Sequence, residues 1–165
     1  MESNIFSELV KLHFNFLIDD FGFSVVDDIY FPDMMGNAAM IFESSQIGIR
    51  IILDRRQVLI DIGPLSLPQR DWYEFSDVIM FFAPDLGPTY IFPEDFSDYK
   101  RALEMQVARL SKIMRDYCSP LLGGDFSMLD KIKEIEKKRV ANMMDNLNQF
   151  SADYRKSHPT KGSNS

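Results

Sequence analysis

Branched aliphatic residues occupy every second position in two neighbouring stretches, residues 47–53 and 58–62. This alternation is the period of a β-strand that buries one face. A polar turn, residues 54–57, separates the two stretches, so the pattern predicts a β-hairpin. The opposite face of this hairpin is mixed in character and carries Gly48, Arg50, Ile52, Leu59 and Asp61. It is therefore either solvated or covered by something that tolerates charge beside aliphatic side chains.

The chain before the hairpin predicts one helix and two further strands. Apolar residues recur at helical spacing from an N-cap at Ser3 or Asn4 to Gly22, which stands where a left-handed C-cap belongs. Residues 23–30 and 38–43 then have the composition of strands. Short turns join the four predicted strands, which favours an antiparallel meander.

The chain after the hairpin predicts helices. Residues 72–82 are rich in aromatic side chains and predict a short helix. Residues 97–117 and 127–150 each have apolar positions three and four apart, which is typical of longer helices with one buried face. The turn at Gly123 and Gly124 between them favours an antiparallel pair.

These elements predict an α+β fold. Its order is an N-terminal helix, a four-stranded antiparallel meander, a short aromatic helix and two long antiparallel C-terminal helices. We expect a single domain over residues 1–150, made of a sheet body over 1–95 and a helical hairpin over 96–150. Residues 151–165 lack periodicity, so we expect a disordered tail there.

Composition is that of an ordinary globular protein, with 45% hydrophobic residues among 165. The longest uninterrupted apolar run, residues 78–83, is far shorter than the roughly 20 residues that a membrane-spanning helix requires. Cys118 stands alone, so no intramolecular disulfide can form, and the N-terminus does not resemble a secretory signal. We therefore expect a cytoplasmic protein that is not bound to a membrane.

Charge is divided unevenly along the chain. Residues 1–99 contain 17 acidic and 5 basic side chains, a net charge of −12, whereas residues 100–165 contain 8 acidic and 13 basic ones, a net charge of +5. An acidic N-terminal part disfavours nucleic acid as a partner. It favours a second protein with a basic surface, because opposite charges speed encounter.

Residues suited to catalysis are scarce. Cys118 follows a predicted helix C-terminus, where the helix dipole disfavours a thiolate, and the sequence holds two histidines, His13 and His158. No phosphate-binding glycine loop is present, and we predict no catalytic residue, metal ligand or cofactor. One alternative is a divalent-metal hydrolase that uses the three strand carboxylates Glu43, Asp54 and Asp61.

Two groups of residues are candidates for protein contacts. The first is a partner surface made of acidic residues, the charged pair on the mixed hairpin face and two aromatic anchors: Asp27, Asp28, Asp33, Arg50, Asp61, Trp72 and Tyr73. The alternative for the two aromatics is packing between the sheet and the helices. The second group is a C-terminal stripe suited to oligomerisation, namely Val140, Met143, Met144 and Leu147.

The start of the last predicted helix is basic. Residues 131–139 contain five basic side chains against Glu134 and Glu136. A solvated helix face is the interpretation that such a pattern favours. The alternatives are an acidic partner or RNA.

Several motifs of the N-terminal half carry a resemblance: Phe21-Gly22-Phe23, Gly36-Asn37, and a hairpin with Arg50, Asp54, Arg55, Val58 and Asp61. Over about residues 5–83, the chain resembles small bacterial proteins with a helix, an antiparallel sheet and C-terminal helices. The resemblance implies an immunity protein that neutralises a toxin, or an accessory subunit of an antiphage defence system. Our leading hypothesis is thus a non-enzymatic protein-binding module, and helix-mediated oligomerisation or a scaffold subunit is the alternative.

Overall fold

The computed structural model describes residues 4–87 and 98–159, which form an α+β fold. The helices are α1 (Ile5–His13), α2 (Asn15–Phe21), α3 (Phe75–Phe82), α4 (Tyr99–Tyr117), α5 (Ser119–Leu122) and α6 (Leu129–Ser157). The strands are β1 (Ser24–Phe31), β2 (Asn37–Glu43), β3 (Ile47–Asp54), β4 (Gln57–Pro64) and β5 (Tyr73–Glu74). No helix in the described ranges is long and apolar enough to span a membrane.

The N-terminal helix is divided in two at Phe14. The Asn4 side chain caps α1 by accepting the Ser7 backbone N–H at 3.3 Å, and Gly22 ends α2 in the left-handed conformation, as predicted. Phe14 itself leaves helical geometry, with a ψ of 13°. In a continuous helix the side chains of Phe14 and Phe16 would point about 200° apart, whereas the break lets both be buried.

The predicted meander is confirmed and gains one strand. The five strands lie in sequence order, and each neighbouring pair is antiparallel. In the central hairpin Ile49 lies opposite Ile62 and Ile51 opposite Ile60, so their side chains belong to one buried face of the sheet, against which α1 packs at β2 and α4 at β4. The fifth strand, β5, has two residues and occupies the start of the predicted aromatic helix. So short a strand leaves no periodicity in the sequence.

The hairpin turn between β3 and β4 uses two residues of positive φ. Arg55 and Arg56 have φ of 47° and 72°, which is the backbone of a type I′ turn, where asparagine and glycine are usual. The Gln106 side chain of α4 holds this turn, because it donates to the Arg56 carbonyl and accepts from the Val58 N–H. The Asn37 side chain also accepts the Arg55 N–H at 3.2 Å.

The two long helices pack on different parts of the body. Helix α4 lies on α1 and β4, whereas α6 lies on α3 and β5. The buried stripe of α4, which includes Leu103, Val107, Leu110 and Met114, belongs to the main core. The predicted helical hairpin over 96–150 is therefore wrong in its packing, because the apolar face of α4 is already taken by the sheet and α1.

Helix α6 also continues seven residues beyond its predicted end. The disordered tail predicted from residue 151 is wrong for residues 151–157, and residues 160–165 lie outside the described ranges. Pro159 is the first strong helix breaker in this region. Contacts one turn apart support the last turns: Gln149 donates to Asp153 at 2.9 Å, and Tyr154 stacks between Phe150 and His158.

Candidate protein interface

The two predicted aromatic anchors are parts of the folded body. Trp72 and Tyr73 are each 8% exposed, so their predicted role as open surface anchors is wrong. Trp72 lies across Gly48 and Gly63, which face each other on β3 and β4, and a Cβ at either glycine would overlap the indole ring. Its Nε1 donates to the Leu67 carbonyl at 3.2 Å. The side chain thus covers one end of the mixed sheet face.

Tyr73 points to the opposite side of the sheet and joins the main core. Its ring lies 5.9 Å from the Lys133 ammonium of α6. Burial raises the pKa of its hydroxyl above the usual value. Tyr73 therefore contributes to the packing of the first turns of α6 against the body.

The charged pair on the mixed sheet face is satisfied within the sheet. Arg50 lies directly opposite Asp61, and its Nη2 and Nε donate to the same carboxylate oxygen at 2.6 and 3.2 Å. Both side chains are partly buried. This arrangement explains why a strand face carries both charges: each compensates the other between aliphatic neighbours.

The three acidic candidates differ in their surroundings. Asp28 accepts the Ser7 hydroxyl at 2.7 Å and the Lys11 ammonium at 2.9 Å, which ties β1 to α1. Burial opposes ionisation of Asp28, but these two donors outweigh it and hold its pKa below the usual value. Asp27 and Asp33 are exposed, the latter in the turn between β1 and β2.

The carboxylates of the hydrolase alternative are not brought together. Asp61 pairs with Arg50, and Asp54 accepts from the Asn37 amide at 3.2 Å. Over residues 4–87 and 98–159, no group of three or more His, Cys, Asp or Glu side chains could hold a metal ion. Cys118 is fully buried, and burial raises the pKa of its thiol to about 12.

Helix α6 is held to the body at its N-terminal half. Ile132 is fully buried, and Arg139 forms two parallel hydrogen bonds with Asp77 of α3, Nε to Oδ1 at 2.8 Å and Nη2 to Oδ2 at 3.0 Å. Glu74 lies 3.4 Å from the same guanidinium. The Asp77 side chain is only 3% exposed and that of Arg139 is 36% exposed, so this pair is a tether that is buried at its acidic end. Much of the basic character predicted for residues 131–139 remains on exposed side chains, but its last member is structural.

The rest of α6 is exposed along its whole length. Every residue from Val140 to Ser157, which we call the exposed segment, is accessible to solvent. At 1.5 Å per residue these 18 residues extend about 27 Å. Isolated helices of this length are marginally stable in water, and most helices in proteins depend on packing of an apolar face.

The exposed segment has such a face. Five of its apolar residues recur at spacings of 3, 4, 3 and 4, and we call them the α6 stripe: Val140, Met143, Leu147, Phe150 and Tyr154. This is the spacing of a coiled-coil seam. Their exposed fractions run from 38% for Val140 to 69% for Phe150, and Met144 beside them is 50% exposed.

A groove runs beside the α6 stripe. It lies between α3 and α6, measures about 720 Å³, and is lined by Met80, Ile135, Met143 and Leu147 among others. Met80 is 51% exposed. The apolar surface therefore continues from α6 onto α3.

The four residues predicted for oligomerisation all lie on the exposed segment, and their contact with another chain stays a prediction. Sequence reasoning missed Phe150 as a partner residue and Tyr154 altogether, because it ended the helix at residue 150. The 3-4-3-4 spacing continuing through Tyr154 was the available signal.

Comparisons of the chain with protein-family models, with curated proteins and with solved structures gave no match.

Proposed function

We propose that this protein is a non-enzymatic protein-binding module and that the exposed segment of α6 is its contact surface. The observation that carries the proposal is the run of exposed helix from Val140 to Ser157 with its apolar stripe. Large apolar side chains that stay accessible in one contiguous patch are typical of surfaces that bind another protein.

The way α6 is attached supports this role. The Asp77–Arg139 tether and the buried Ile132 fix the direction in which α6 leaves the body. The stripe is therefore presented on a helix that is anchored at its N-terminal end, instead of on a loop. A preorganised helix loses less conformational freedom on binding than a flexible segment does.

A binding role of this kind is common to immunity proteins and accessory subunits, and we propose this common role for the chain. The acidic N-terminal half is a second candidate contact, because Asp27 and Asp33 are exposed and Phe31, Met34 and Met35, which neighbour Asp33 in the sequence, are exposed as well. Such a surface suits a basic protein, and its contribution would be salt-dependent.

The test is affinity purification of the tagged full chain from its own host, expressed beside the untagged natural copy. We expect a stoichiometric polypeptide to co-elute with the wild type and to be lost with Leu147→Asp, which places a charge in the stripe. Ala152→Asp is the matched control, since residue 152 lies on the opposite side of the same helix. Recovery of the tagged chain alone from the wild type would overturn the proposal.

A further inference from the structure

The exposed segment has the chemistry of a surface that pairs with itself. Its charged side chains are Asp145, Asp153, Arg155 and Lys156, so its net charge is zero, although the residues before position 100 carry −12. Two copies of a neutral helix do not repel each other, whereas two acidic bodies do. Electrostatic repulsion between two copies is therefore smallest when they meet through α6 and their bodies stay apart.

From this we infer that the occupant of the α6 stripe is a second copy of the same chain, bound in antiparallel orientation; the inference rests on the proposed function of the exposed segment. The body lies at the N-terminal end of each exposed segment. Antiparallel pairing places the two bodies at opposite ends of the helix pair. Parallel pairing would bring them side by side.

The order of residues along the α6 stripe also suits antiparallel pairing. If Leu147 of one copy faces Phe150 of the other, Met143 faces Tyr154, and the two-fold axis repeats both pairs. Each layer then joins an aromatic ring to an aliphatic or thioether side chain, and methionine sulfur packs favourably on aromatic rings. Asn146 of one copy also flanks Asp153 of the other, where an amide can donate to a carboxylate.

The available area is sufficient for a specific dimer. The exposed apolar side chains of the segment, together with Met80, present on the order of 700 Å² per copy. Pairing that covered all of this surface would remove at most roughly 1,400 Å² from water in total, which is within the range of about 1,200–2,000 Å² for specific interfaces. The groove between α3 and α6 borders this contact and has space for side chains of the second copy.

Sedimentation equilibrium of the full chain tests the inference. We expect a mass of about 38 kDa, twice the 19.1 kDa of one chain, and little change between about 50 and 500 mM salt because the interface is neutral. Leu147→Asp removes one apolar contact from each copy and adds two buried charges, so the dissociation constant should rise at least about 100-fold. Ala152→Asp should leave it unchanged.

Cysteine cross-linking tests the orientation. Antiparallel pairing places residue 140 of one copy near residue 157 of the other, so a mixture of Val140→Cys and Ser157→Cys chains should form a disulfide-linked heterodimer. Ser157→Cys alone should not link to itself. Cross-linking of Ser157→Cys to itself would overturn the antiparallel arrangement. The native Cys118 is fully buried, so it should not take part in the cross-link, and the wild-type chain serves as the negative control.

A monomer at about 100 μM would overturn the second-copy inference, because a contact of this size is specific only if it forms well below that concentration. The proposed function would then be judged separately by the affinity purification. If Leu147→Asp abolished recovery of a different protein there, the exposed segment would still be a binding surface for that protein.

Discussion

Phe42 and Phe150 are the same residue type in environments of opposite solvent exposure. Phe42 on β2 is completely buried, and Phe150 on α6 is 69% exposed. The body around Phe42 is closed: its sheet face is covered by α1 and α4, its mixed face is covered in part by Trp72, and its charges pair locally. The exposed segment around Phe150 has an apolar stripe that remains accessible to solvent among the described residues. On our proposal, this difference arises because the body buries its own apolar residues, whereas the α6 stripe is covered by another chain.

The largest expected effect is the difference in unfolding free energy between alanine variants of these two phenylalanines. Phe42→Ala should lower the free energy of unfolding by about 3–5 kcal/mol, because it removes buried apolar area and leaves a cavity. Phe150→Ala should change it by less than about 0.5 kcal/mol in dilute solution, where the chain is monomeric, yet abolish the dimer. Urea unfolding and sedimentation equilibrium separate the two quantities. Equal losses of stability would contradict the division between body and exposed segment.

A smaller effect is expected at the tether between the two regions. Arg139→Ala leaves the buried Asp77 carboxylate without its bidentate partner. Removal of one partner from a fully buried pair costs about 3–5 kcal/mol, and we expect about 2 kcal/mol here because Arg139 remains partly exposed. Lys138→Ala, at the neighbouring exposed position, is the control and should change the unfolding free energy by less than about 0.5 kcal/mol. A loss no larger than that of the control would show that the tether does not fix α6.

The comparison also shows what sequence patterns can and cannot predict. The central hairpin and the Gly22 cap follow from neighbouring residues, so periodicity and residue type were enough to predict them. The position of Trp72 depends on two glycines, Gly48 and Gly63, that meet only when β3 pairs with β4. The sequence alone does not show this pairing, so Trp72, which lies near polar turns, remains a candidate surface anchor until the structure is known.

The candidate interface was predicted in part. Val140, Met143, Met144 and Leu147 carry an ordinary helical pattern, whereas their exposure depends on how α6 continues away from the body after Arg139. The extension of α6 was missed because residues 151–157 are polar and their helical contacts are between side chains one turn apart. Hydrophobic periodicity does not detect such contacts.

The smallest effect concerns the link between β1 and α1. The pKa of Asp28 is lowered in the folded state, so its contribution to stability is complete above the unfolded value of about 3.9 and is lost as the pH falls through the folded pKa. Asp28→Asn should therefore lower the unfolding free energy by about 1 kcal/mol at pH 7. Urea titrations of the variant and the wild type should converge at acidic pH. Asp33→Asn, in an exposed turn, is the matched control and should change the unfolding free energy at pH 7 by less than about 0.5 kcal/mol.

Hydrogen exchange of the full chain at two protein concentrations tests the central claim most directly. If another copy completes α6, amides of residues 140–157 should exchange more slowly as concentration rises through the dimerisation range. Amides of β2, β3 and β4 should be equally protected at both concentrations, because the body folds without the partner. Fast exchange of residues 140–157 at every concentration, or protection of that segment in the monomer equal to that of the sheet, would contradict the account.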